Sequence, residues 1–351
     1  MRETNRPDPN PARKPGSMDP HYDPAEDERE ASLRPRVLSE FQGQARIKEA
    51  LSIFFQAAKG RAEALDHLFL MGPPGLGKTT LALVVASEMG VDFKPTSAPA
   101  LEKPKDLAGI LTTLRPGSVF FIDEIHRLKP AIEEMLYIAM ENFELDWIIG
   151  QGASARTMRV PVPPFTLIGA TTKAGMVSAP LSSRFGISLR FDYYGAEELE
   201  LVIRRSAAIL DIKIGKEAIS HLAETSRGTP RIANRLLRRM RDFAQVAGKA
   251  EIDGGVVREG LDRLEVDALG LERLDRDILK SVILKYGGGP VGAETLAITV
   301  GEAVDSLEDY YEPFLIQVGL LARTPRGRIA TPLAYKHLGM EYPSENGRLQ
   351  F

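Results

Sequence analysis

Ten residues, MGPPGLGKTT at positions 71–80, constrain this chain more than any other stretch. From Gly72 to Thr79 they fit G-x-x-x-x-G-K-[ST]. The apolar residues 68–71 lead in like a buried strand, and residues 81–86 lead out like a helix. That strand–loop–helix setting is what the pattern needs before it is believed. Gly75 and Gly77 let the backbone close around a polyphosphate, so that N–H groups and a helix N-terminus face the anion. Lys78 reaches the β and γ phosphates, the Thr79 hydroxyl can ligate Mg2+, and Thr80 adds a hydrogen bond. A bare glycine-rich turn would not need Lys-Thr at this spacing. The stretch predicts a nucleoside triphosphate as ligand, and the alternation of helices with short apolar strands along the chain predicts an α/β fold with a parallel sheet.

The chain has 351 residues, 43% of them hydrophobic, enough for two or three domains. A net charge of −3 means that any nucleic-acid site is a local patch. With no cysteine, disulfides, thiolate catalysis and cysteine-ligated zinc are excluded. His21, His67, His126, His221 and His337 are scattered, without metal-ligand spacing. No apolar run approaches the ~18 residues of a membrane span, and the first residues carry no apolar signal region. The expectation is a cytoplasmic protein with no membrane partner.

Residues 1–31 are proline-rich and charged, too poor in apolar side chains to offset chain entropy, so disorder is expected there. A large α/β unit is expected over 32–192. It would contain a helix carrying Ile47, Ala50, Leu51, Phe54 and Phe55, strands at 68–71, 119–123 and 165–170, and two extended arms over about 145–162 around Gly-Gln-Gly. Residues 193–264 read as a small all-helical domain, and 265–351 as a third unit.

Asp123 and Glu124 end the apolar run VFFID 45 residues after Lys78. A strand's carboxyl end is where an open α/β sheet binds ligands. Asp123 can hold the metal shell opposite Thr79, leaving Glu124 to polarise an attacking water. Thr171 and Thr172 tip the next strand, and either hydroxyl can sense the γ phosphate. Arg184 follows twelve residues after Thr172 and can point toward a neighbour's nucleotide. An arginine supplied in trans is worth roughly 10³–10⁵ in rate. Arg231 opens a helix behind Gly-Thr-Pro, where proline sets its direction. It can reach the phosphates from the helical domain.

In the third unit, residues 294–300 and 303–318 read as helices and GLLARTPRGRIAT as a strand pair, the plan of a winged helix. Arg323, Arg326 and Arg328 put three cations on the wing within six residues. Such a cluster suits DNA phosphates, which are contacted without sequence preference. An ordinary charged hairpin used for protein contact fits the same residues.

The motif order resembles the AAA+ ATPases. The longer stretches LRPRVLSEFQGQ, ALDHLFLMGPPGLGKTT, FIDEIHRL, PPFTLIGATTKAG, RGTPRIANRLLRR and RTPRGR resemble the bacterial RuvB family over roughly residues 31–338. That resemblance implies a P-loop AAA+ domain with a parallel sheet, a small helical domain and a C-terminal winged helix. It implies an ATP-driven DNA translocase of helicase class, pumping duplex DNA through Holliday junctions in homologous recombination and DNA repair. Leu33, Arg34, Asn142, Phe143, Glu144 and Tyr194 would join Gly75, Lys78, Thr79, Thr80, Arg184 and Arg231 around the nucleotide. The working form would be a homohexamer on DNA, loaded by RuvA and followed by RuvC. The hairpin near Trp147 would dock RuvA, although a lone tryptophan is as readily packed within its own domain. One departure is GEAVDSLEDYYEP, whose acids make the recognition helix negative and throw DNA contact onto the wing. Two other readings remain: a clamp-loader-like subunit, and an ATP-switched DNA-binding regulator that does no work. A pure switch would need neither Glu124 nor Arg184.

Overall fold

The computed structural model describes residues 32–149 and 156–343. The expected disordered tail and the Gly-Gln-Gly turn lie outside those residues. Strands β1 (Leu68–Met71), β2 (Phe93–Ser97), β3 (Val119–Asp123), β6 (Thr166–Thr171) and β7 (Ile187–Arg190) form one parallel sheet, ordered β2-β3-β6-β1-β7. The central strands explain themselves. β6 is buried at every position and β3 at all but its last, as parallel strands covered on both faces must be. Alternate side chains feed two cores. Leu68, Leu70, Phe121 and Ile168 pack under the helices Ala45–Arg61 and Lys78–Met89, while Phe69, Phe120, Ile122 and Leu167 pack under Pro104–Leu111 and Pro130–Asn142.

Two strands have no counterpart in the sequence reading. β2 reads FKPTS, with two exposed positions and a proline, which an edge strand tolerates. β7 is only four residues long and alternates buried with exposed. Its β1 contact, not its composition, makes it a strand. The expected apolar stripe of Ala45–Arg61 is also corrected: Ile47, Leu51 and Phe55 are buried, but Phe54 is exposed beside Ile53.

Strands β4 (Glu144–Ile149) and β5 (Arg156–Pro161) make the expected antiparallel hairpin. Trp147, opposite Met158, is half-buried and packs on the same core as Phe143 and Val160. It therefore belongs partly to its own domain and does not crown a bare tip. The reason is register: residues 145, 147 and 160 turn one face of the ribbon toward the sheet's core.

Beyond Tyr194, four helices, Ala196–Ile209, Lys216–Glu224, Pro230–Val246 and Gly254–Arg263, form the small helical unit, or lid. It continues the core that begins under β1. The last unit packs helices Arg273–Tyr286 and Ala293–Val300 against a bent segment and a strand pair, β8 (Leu321–Thr324) and β9 (Gly327–Ala330). The expected single helix over 303–318 instead contains a π-helical turn, Leu307–Tyr311. This winged-helix unit, or head, is pinned to the lid by a buried Arg227–Asp275 ion pair, with Arg235 on Glu272 at 2.5 Å. It also touches the α/β unit, where Lys173 meets Asp309 at 2.8 Å.

Candidate active site

The phosphate loop turns from β1 into the helix beginning at Lys78. Its glycines hold conformations that side chains resist: Gly75 has φ +78° and Gly77 φ +95°. A Cβ on Gly75 would also press within 3.2 Å of Arg231 Cβ, and the Arg231 N–H donates to the Gly75 carbonyl at 3.4 Å. The lid's long helix thus starts on the loop itself, so Gly75 serves both the phosphate cradle and the lid.

Lys78 is buried, and its ammonium donates to the carbonyls of Gly72 and Pro73, each at 2.8 Å. Burial pulls its pKa down to about 8, against the opposing pull of Asp123 and Glu124. Thr79 donates its hydroxyl to Asp123 Oδ2 at 3.2 Å across the end of β3. Glu124 takes a left-handed backbone, φ +52°, and its N–H donates to Asp123 Oδ1 at 3.0 Å. That kink ends the strand and turns Glu124 into the cleft. Burial first, then the Asp123 carboxylate, holds the Glu124 carboxyl above its usual range.

The cleft is floored by Gly75, Lys78, Thr79, Thr80, Asp123 and Glu124. Leu33, Arg34, Tyr194 and Arg231 close it from the other side. Tyr194 is buried and donates to the Leu76 carbonyl at 3.2 Å; burial raises its pKa, so it stays a donor. Thr79 and Asp123 offer two hard oxygens side by side, the donor type Mg2+ prefers. Among the described residues no group of three His, Cys, Asp or Glu could hold a metal.

Three expectations are corrected. Thr172 lines the cleft, and Thr171 does not. Thr171 ends β6 with its side chain turned inward, and Thr172 follows just past the strand's end. Thr171 is fully buried, its hydroxyl 2.9 Å from His126 Nδ1 and accepting the Lys173 N–H at 2.9 Å. Asn142, Phe143 and Glu144 are absent from this protomer's cleft. Phe143 packs on Phe165, just before β6 begins, and its carbonyl accepts the Val162 N–H. The cleft is at the other end of β6, roughly 15–20 Å away at ~3.3 Å per residue. Third, the wing cations are not all available. Arg328 is buried, with Nε on Glu312 Oε1 at 2.6 Å and Nη2 on Glu308 Oε1 at 2.5 Å. Arg323 also pairs with Glu308, at 3.1 Å, and stays exposed. Arg326 is exposed on the turn. Glu308 and Glu312 of GEAVDSLEDYYEP therefore serve the wing's own structure.

Arg184 stands outside this cleft. It lies over the Tyr137 ring, 4.6 Å from its centre, and pairs with Glu141 at 3.0 Å. Glu141 immediately precedes Asn142, so Arg184 shares the side of the domain that carries Asn142, Phe143 and Glu144. Sequence reasoning missed Arg205 and His126. Arg205 reaches across from the lid to the cleft, donating to the Leu33 carbonyl at 2.6 Å and pairing with Glu40 at 3.1 Å. Nothing local marks a mid-helix arginine for that task. His126 stands inside DEIH, and without metal-ligand spacing nothing local sets it apart there.

A phosphate loop, an Asp-Glu strand end, a helical lid starting on the loop and an arginine directed outward define an AAA+ ATPase. Three family descriptions match the chain in succession: the Holliday junction DNA helicase RuvB P-loop domain over residues 33–191, the RuvB AAA lid domain over 194–267 and the RuvB C-terminal winged helix domain over 268–339. The chain belongs to the RuvB family of Holliday junction branch-migration ATPases. It is 69% identical to the Holliday junction branch migration complex subunit RuvB of Treponema denticola, covering 91% of this chain and 93% of that one. The Borreliella afzelii protein of the same name is 60% identical, over 93% and 92% of the two chains. The Thermotoga maritima RuvB Holliday junction branch migration motor superposes with a TM-score of 0.82 at 49% identity, over 89% of this chain and all of that one. Among the described residues, no helix is long and apolar enough to cross a membrane.

Proposed function

We propose that six copies of this chain form a ring around duplex DNA and drive Holliday junction migration by hydrolysing ATP at sites shared between neighbours. The division of the arginines carries this reading: Arg231 lines the cleft of its own protomer, while Arg184 is held on Glu141 outside that cleft. The cleft holds Lys78 and Arg231 but not Arg184, and a neighbour can supply that further arginine to stabilise phosphoryl transfer. In that arrangement Asn142, Phe143 and Glu144 approach the adjacent subunit's nucleotide beside Arg184.

The roles follow from the chemistry. Lys78 exchanges the Gly72 and Pro73 carbonyls for phosphate oxygens. Thr79 and Asp123 hold Mg2+, which supplies charge neutralisation on the phosphates when bound. Glu124 orients and polarises the attacking water, and Thr172 monitors the γ phosphate. Arg231 follows the phosphate and moves the lid, to which the head is pinned through Arg227. Arg326, with Arg323, meets the DNA backbone. RuvA docks on the β4–β5 hairpin, with Trp147 stiffening its base, and RuvC acts on the junction afterwards.

A synthetic four-way junction with homologous arms tests this. ATP and Mg2+ should convert it to duplex products, with stimulation by RuvA and none in Lys78→Ala. Glu124→Gln should keep ATP binding and ring assembly but stop conversion. Nucleotide-dependent DNA binding with almost no turnover in the parent protein would favour the switch reading.

A further inference from the structure

His126 takes no part in the roles above, yet its ring stands beside Glu124 with a side chain only 5% exposed. It sits in the short turn Ile125–Arg127 that follows the left-handed Glu124. Its two nitrogens face two named groups. Nδ1 lies 2.9 Å from the Thr171 hydroxyl, and Nε2 lies 3.4 Å from Glu124 Oε2.

We propose that His126 is a positioning residue for Glu124, aiming its carboxylate at the attacking water. The neighbouring groups set the tautomer. The Glu124 carboxylate beside Nε2 can only accept, so the ring proton is placed there, and the Thr171 hydroxyl, which also accepts the Lys173 N–H, donates to Nδ1. Nδ1 is then an acceptor, and the ring proton sits on Nε2, facing Glu124. Burial, reinforced by the nearby Lys173 charge, favours the neutral ring. A neutral Nε2–H holds one carboxylate oxygen of Glu124 without neutralising it, and the other oxygen is left for water. This also gives Thr171 a purpose, since it does not line the cleft. The threonine orients the histidine, and the histidine orients the glutamate.

The inference rests on Glu124 as the water-polarising group, so the experiment separates the two. Single-turnover and steady-state ATP hydrolysis, in the presence of junction DNA, would be measured for His126→Ala, His126→Gln, Thr171→Val, Glu124→Gln and the Glu124→Gln/His126→Ala pair. Partners that orient metal ligands cost roughly 10-fold to 100-fold when lost, and a partner that orients a water-polarising carboxylate is expected on the same scale. His126→Ala should lower kcat by that factor, with KM for ATP and nucleotide affinity within about twofold, since only the transition state is affected. His126→Gln, whose amide N–H can reach the same carboxylate, should recover most of the loss. Thr171→Val, which frees the tautomer, should lie between. In the Glu124→Gln background His126→Ala should add nothing. Turnover by His126→Ala equal to that of the parent, beside a loss in Glu124→Gln, would overturn the inference alone. So would Gln no better than Ala with KM and melting temperature moving together, or a double variant well below Glu124→Gln. Normal turnover by Glu124→Gln would overturn both the glutamate's role and the inference.

Discussion

The roles proposed for Lys78 and Arg184 put them in one reaction, yet Lys78 lines the cleft and Arg184 is held on Glu141 outside it. A mixing experiment follows from that separation. Arg184→Ala should keep ATP affinity and lose about 10³-fold or more in turnover, as expected for a missing trans arginine. Lys78→Ala should bind ATP poorly and be inactive. Mixed rings should regain measurable hydrolysis, because a subunit with intact Lys78 can sit beside one with intact Arg184. No recovery across mixing ratios would place both groups in one protomer's site. A second residue-scale prediction concerns His67, just before β1. Its Nδ1 accepts the Leu167 N–H at 2.8 Å and its Nε2 faces the Met140 carbonyl at 3.3 Å, so the ring is held neutral. Burial lowers its pKa below the ordinary value. The unfolded chain therefore binds the proton more readily than the folded one, and stability rises with pH. The His67 contribution should be complete above its unfolded value of roughly 6.5 and fade as pH falls below it. Thermal melts between roughly pH 7 and pH 5.5 should decline less steeply in His67→Gln than in the parent; equal slopes would remove His67 as a source.

The wing shows how an element redistributes what its residues suggest. Three arginines within six residues read alike in the sequence, but β9 turns Arg328 inward onto Glu308 and Glu312 while Arg326 stays on the turn. Removing one partner of a buried, hydrogen-bonded ion pair costs on the order of 3–5 kcal/mol. Arg328→Ala should therefore lower the melting temperature, whereas Arg326→Ala should leave it unchanged. Arg326→Ala should instead weaken DNA binding and shrink the slope of log affinity against log salt by about 1. A normal melting temperature in Arg328→Ala, with the salt slope reduced, would reverse the assignment. The same logic explains what was legible beforehand. The phosphate loop, β3 with Asp123 and Glu124, β6 and the lid helices carry their own local patterns, so they could be read directly. β2 and β7 could not, because they become strands only through their neighbours. Thr171 and Thr172 could not be separated, because where the strand ends depends on the pairing of β6. Asn142, Phe143 and Glu144 were attached to the nucleotide by resemblance, and a single protomer cannot bring them there.

At the scale of the whole molecule, two ion pairs divide the labour. Arg227–Asp275 is buried between lid and head, with Arg227 Nε also donating to the Gly270 carbonyl at 2.6 Å and its guanidinium over Phe314. Lys173–Asp309, between the α/β unit and the head, is partly open to solvent. A buried pair that loses its partner leaves an uncompensated charge, whereas an accessible pair re-solvates at little cost, typically 0–1 kcal/mol. The lid and head should accordingly move as one body, and the Lys173–Asp309 contact should be where the molecule opens. Because the chain has no cysteine, single cysteines can be placed for spin labels without interference. Labels at the exposed positions Ser183 in the α/β unit, Arg204 in the lid and Lys336 in the head would report the two distances. Asp309→Ala should broaden the 183–336 distribution and leave the 204–336 distribution narrow, with little change in melting temperature. Broadening of both would mean that Arg227–Asp275 does not hold the head to the lid. An unchanged 183–336 distance would mean that the head is retained against the α/β unit by its packing, with Lys173 contributing nothing that matters.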